Sequence, residues 1–140
     1  MEMKIKIEKT KSGLPALWEC GGGYSNTGDA TIVAGVNGLP KKAVYVKRSG
    51  HLANGRHALI VIEPGDHLVE VEHHRVDYWI RIFKIKAFDT ETEFALTELL
   101  YELKKGEWDH QPPSYLQPAI TAGIEKATCY HCRSAHYIKE

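Results

Sequence analysis

YWIRIFKIKAF, residues 78–88, and the segment that follows it, DTETEFALTELLYEL, residues 89–103, decide how this chain folds. The first is rich in aromatic and β-branched residues and has the length of a long strand. Ile80 and Ile82 share one face of it, whereas Phe83 and Ile85 fall on the other. Either both faces are covered, or a bulge shifts the phase near Phe83. The second segment changes period. Thr90-x-x-Glu93 has the form of a capping box, and Leu96, Leu99, Leu100 and Leu103 recur at i, i+3, i+4 and i+7, which predicts a helix. Gly106 after Lys104 and Lys105 fits its C-terminal stop.

Towards the N-terminus, Met3, Ile5 and Ile7 alternate with charged residues in the period of a half-buried strand. Further strands are expected over residues 14–20, 30–35, 41–47, 57–63 and 67–73. Tight turns at 11–13, 36–38 and 64–66 separate them, the Asn37-Gly38 pair being the strongest hairpin signal. Towards the C-terminus, Ser114-x-x-Gln117 opens a second helix with a stripe of Leu116, Ile120, Ile124 and Ala127. Pro118 falls in its tolerant first turn, and Gly123 weakens it. The expected fold is α+β: a mainly antiparallel up-and-down β-sheet, or a partly open small barrel, followed by two C-terminal α-helices. Residues 1–140 form one domain, with a β portion over 1–88 and a helical portion over 89–140 that ends in a CxxC tail.

Composition excludes several classes. The 43% hydrophobic and 26% charged content is ordinary for a globular chain, so neither disorder nor a fibrous repeat fits. No apolar run approaches the length of a membrane span, and the charged N-terminus is unlike a signal peptide. Three cysteines, an odd count, fit a reducing compartment better than a disulfide framework, so a cytoplasmic protein is expected. Net charge is zero, yet no acid lies between Asp29 and Glu63, a stretch holding Lys41, Lys42, Lys47, Arg48 and Arg56. Residues 89–109 carry seven acids against Lys104 and Lys105. Segregation of this kind makes a local positive field.

If the strands run up and down, the tight turns lie at one end and the polar loops 21–29, 48–56 and 74–77 at the other. The loops then bring together Gly22, Gly23, Tyr24, Asn26, Thr27, Arg48, His51, Arg56 and Arg75. Glycines let backbone N–H groups converge on an anion, arginine forks grip phosphate or carboxylate, and Tyr24 can stack on a base. The glycine run lacks the terminal Gly-Lys-Ser/Thr of a P-loop and leads into a strand. The expectation is a non-enzymatic binding protein for a small anionic ligand, nucleotide-like, acting as sensor, carrier or sequestering protein, with no membrane partner. An exposed edge strand would also let copies of the chain associate.

Three other chemistries are written into the chain. Arg75, Tyr78, Trp79, Arg81, Phe83, Lys84 and Lys86 interleave bases with aromatics, as a surface for single-stranded nucleic acid does. Against it, Trp79 and Phe83 at strand spacing suit a core, and the pI is not basic. Asp66, Glu70, Glu72 and His74 offer carboxylates and imidazole for a metal-dependent hydrolase or nuclease, although a solvated strand face explains the last three equally. Cys129, Cys132 and His136 have the spacing of part of a structural zinc site, which Cys20 or His110 would complete.

Overall fold

The computed structural model describes residues 2–20, 27–42, 44–47, 57–74, 77–103 and 113–128. They form strands β1 (Glu2–Lys6), β2 (Glu8–Lys9), β3 (Pro15–Cys20), β4 (Thr27–Ala34), β5 (Tyr45–Lys47), β6 (His57–Val61), β7 (His67–His74), β8 (Asp77–Asp89) and β9 (Phe94–Leu103). A 3-10 turn (Ser114–Leu116) then leads into helix α1 (Gln117–Thr128). Every strand pairing is antiparallel, in the order β1-β9-β8-β7-β4-β3-β6-β5. The sheet is not closed. The N-terminal segment crosses its opening, since β1 lies on β9 and, past Ile7, β2 lies on β3.

The helix expected over residues 90–103 is instead a turn and β9, so among the described residues there is one C-terminal helix, not two. Thr90 to Glu93 form the loop of the β8–β9 hairpin. Asp89 Oδ1 accepts from the backbone N–H of Glu91 and Thr92, at 3.1 and 3.3 Å, and Glu93 sits at φ 59°. Hydrogen bonding from Thr92 holds the Asp89 carboxyl below its ordinary pKa. The leucines that imitated a helix follow from a break in strand phase. Ile82 pairs with Tyr101 and Phe83 with Leu99, which leaves Leu100 as an extra residue in β9. Ala95 and Leu99 therefore pack with one core, and Tyr101 and Leu103 with another on the opposite face. A one-residue slip in a strand produces the 3–4 spacing on which the helical reading rested.

Two tight turns also form without the hairpins expected of them. Gly38 takes φ +83° and its N–H reaches Gly35 O, but β4 pairs with β7 along its whole length, and β5 pairs with β6. Among the described residues no ladder extends from that turn beyond the isolated bridge Ala34↔Pro40 and its flanking hydrogen bonds. Pro40 has no N–H to extend a ladder, and Lys41 N–H caps Val33 O at 2.8 Å before the chain departs. Likewise the turn at 64–66 links β6, which pairs with β3, to β7, which pairs with β4. A turn reverses the chain; it does not choose the neighbour.

Both faces of the sheet are covered, which accounts for the doubly apolar β8. Ile80 and Ile82 join Ile32, Ala34, Val69 and Val71 beneath α1, meeting Leu116, Ala119 and Ile120. Phe83 and Ile85 belong to a second core with Val33, Leu68 and Ala95, closed by Ile7, Leu17, Ile60 and Ile62 from the other arm of the curl. Gly123 lets α1 approach β7: a Cβ there would lie 2.7 Å from Val71 Cγ2. Its low helix propensity is offset by this approach. Gly123→Ala should therefore cost about 1–3 kcal/mol in urea unfolding despite Ala's better propensity. Val71→Ala added to it should recover part of that loss relative to the sum of the single changes, as contacting sites do.

Candidate functional site

Strand register fixes where the connecting segments leave the sheet. Cys20 pairs with His57, Lys47 with His57, Thr27 with His74, and His74 with Asp77. The strand ends flanking residues 21–26, 48–56 and 75–76 thus lie at one end of the sheet. The tight turns at 10–14, 35–39, 63–66 and 89–94 lie at the other. Of the residues expected to hold an anion, Thr27 opens β4 at that first end. Gly22, Gly23, Tyr24, Asn26, Arg48, His51, Arg56 and Arg75 lie outside the described residues, as do Cys129, Cys132 and His136.

Between the strands, the inner face of the curl changes character along its length. Near the tight turns it is the apolar core around Phe83 and Leu68. Towards the loop end, the same rows of β7 and β8 continue as Glu70 and Glu72 and as Arg81 and Trp79. Arg81 lies 4.1 Å from the Trp79 ring centroid and 5.7 Å from that of Phe83, with Glu70 Oε1 at 3.2 Å from its Nη2. The ion pair is poorly aligned: Glu70 Oε1 and Arg81 Nε are buried, and neither makes a hydrogen bond among the described residues. Such groups in a low-dielectric setting favour any polar partner that reaches them. Sequence reading named these residues but assigned them to separate chemistries. The shared signal was alternation: Leu68, Glu70 and Glu72 against Val69 and Val71, beside Trp79, Arg81 and Phe83.

Of the four residues expected for a hydrolase, Asp66 stands apart from Glu70, and the side chain of His74 lies outside the described residues. Asp66 precedes β7 at the tight-turn end, about 13 Å along the strand from Glu70. It is 3% exposed there and occupied, with Lys41 Nζ at 2.7 Å and Glu63 N–H at 2.8 Å on Oδ2. Among the described residues no three His, Cys, Asp or Glu side chains gather as a metal group. The strand proposed for nucleic acid also loses its continuous surface. Phe83 is fully buried, Arg81 is paired with Glu70, and Lys86 is paired with Glu98 at 3.2 Å.

No helix among the described residues is long and apolar enough to cross a membrane. Comparison with family models, with curated protein sequences and with solved structures gave no match. Fold and site together therefore define the described residues as a curled antiparallel sheet backed by one helix, with a polar inner face towards the end where segments 21–26, 48–56 and 75–76 leave it.

Proposed function

We propose that this chain is a non-enzymatic binding protein of the cytoplasm that captures a small anionic ligand, a nucleotide or similar phosphate ester, at the loop end of the sheet. One observation carries the reading: the register that brings the ends of β3 to β8 flanking the three polar segments to a single end. Those segments hold Arg48, Arg56 and Arg75 and the glycines 21–23. The half-buried Arg81 on Trp79 adds a cation and an aromatic surface to the inner face at that end. The Glu70 carboxylate, matched by Arg81, does not oppose an anion with a full unpaired charge.

A thermal-shift panel of nucleotides, inorganic phosphate and a single-stranded oligonucleotide tests this. Saturation at about one hundred times Kd should stabilise the fold by about 2.7 kcal/mol for one nucleotide class. Arg48→Ala and Arg56→Ala should remove the shift and leave the ligand-free melting temperature unchanged. Arginine variants that melt early would make those residues structural. A response to the oligonucleotide alone, falling steeply with salt, would move the function to nucleic acid.

A further inference from the structure

One rung of the sheet crosses four strands of the inner face just where the apolar core ends. Thr31 of β4 pairs with Glu70 of β7, Glu70 with Arg81 of β8, and Arg81 with Glu102 of β9. Directly opposed residues of antiparallel strands share a face and stand about 5 Å apart, so the four side chains form one row. All four are half-buried. The next inner rung towards the tight turns, with Leu68 and Phe83, is closed core. One step towards the loop end stands Trp79, whose ring lies against the Arg81 guanidinium.

The row sets two carboxylates against one guanidinium, which is not the charge of a phosphate site. It suits a ligand edge that brings N–H donors to a carboxylate and a carbonyl to the arginine. Glu70 and Arg81 keep 28% and 29% of their side-chain surface exposed, so such an edge can reach them. Their mutual contact leaves Glu70 Oε1 and Arg81 Nε buried without a hydrogen bond among the described residues. Rotation about the last side-chain bond of Glu70 exchanges its two equivalent oxygens, so either can turn to a ligand. Among the nucleobases, guanine carries two adjacent donors, N1–H and N2–H, beside the acceptor O6. Adenine has one amino donor beside a ring nitrogen whose lone pair would face the second carboxylate oxygen. We propose that this row reads a guanine base: Glu70 accepts from N1–H and N2–H, Arg81 donates to O6, and Trp79 supplies an aromatic wall. The assignment rests on the anion-binding reading above, in which the loop segments take the phosphate.

Calorimetric titration with guanosine, inosine and adenosine monophosphates, with guanosine and with inorganic phosphate tests it. Guanosine monophosphate should bind the wild type about tenfold or more tighter than adenosine monophosphate, since a site built to hydrogen-bond a base rejects one lacking the donors. Inosine monophosphate lacks only the 2-amino group and should also bind more weakly, a comparison that leaves the protein unaltered. Glu70→Gln replaces one acceptor by a donor. It should weaken guanosine monophosphate and spare adenosine monophosphate, whereas a merely structural Glu70 would weaken both alike. Equal wild-type affinity for the three nucleotides would overturn the guanine assignment and leave the anion site standing. Binding of guanosine without any response to phosphate would support the base site and overturn the anion reading of the loops. No binding of any guanine compound would overturn the proposal.

Discussion

Gly38→Ala should lower stability by about 3 kcal/mol or more, a large part of what a domain of this size possesses. Two independent costs meet at this position. The backbone sits at φ +83°, a region that an L side chain occupies at about 1 kcal/mol or more. A Cβ there would also fall 1.8 Å from Tyr115 O, 3.0 Å from Tyr115 C and 3.3 Å from Leu116 Cα. These are backbone atoms, so no side-chain rotation relieves them. Either the turn or the 3-10 segment must move away. Moving the segment would withdraw Leu116 from the core under α1, and moving the turn would strain the 2.9 Å contact between His67 Nδ1 and Gly35 O. Gly13→Ala is the internal control, because Gly13 has φ +88° with nothing within 4 Å of its added Cβ. It should lose only the conformational part. Urea unfolding of the two variants separates the terms. Equal losses would mean that the turn does not dock on the 3-10 segment as described.

Phe83→Ala should cost about 3–5 kcal/mol, the range for a fully buried aromatic. Phe83 is 0% exposed and stands in the core that joins the two arms of the curl. Its removal leaves a cavity between Leu68, Ile60 and Ile85 that the paired backbones of β7, β8 and β9 cannot readily close. It also takes away one of the two rings beside Arg81. Phe83→Leu should cost far less, and Lys84→Ala, one residue on and exposed, should stay within about 0.5 kcal/mol. A Phe83→Ala loss below about 1 kcal/mol would show that Phe83 is not packed in the inner core.

Much of this architecture was legible because its signals are local. Positive-φ glycines at 13, 38 and 65 mark the turns expected at 11–13, 36–38 and 64–66. The stripe from Leu116 to Ile124 marks α1, and its preceding Ser114 begins the 3-10 turn. The alternation of Leu68, Glu70 and Glu72 with Val69 and Val71 divides β7 between an inner and a helix-covered face. Of the two explanations offered for β8, coverage of both faces is the one that holds: its alternation runs unbroken through Phe83, and the register shift there is carried by the extra residue Leu100 of β9. What misled was β9. A bulge at Leu100 reproduces helical spacing, and Thr90-x-x-Glu93 resembles a capping box although it is a hairpin loop closed by Asp89.

Taken alone, then, the amino-acid order determined the mostly β character, the turn positions, the covering helix and the two ends between which the connections divide. Each of these depends on backbone conformation or side-chain period within a few residues. Tertiary structure decided which strands are neighbours, the β identity of residues 94–103 and the union of Glu70, Arg81 and Trp79 on one inner face. Strand partners are selected by burial across the whole sheet. β4 leaves its own turn to pair with β7 because there Val33 and Ile32 enter opposite cores together with Leu68 and Val69. No interaction within the turn encodes that choice.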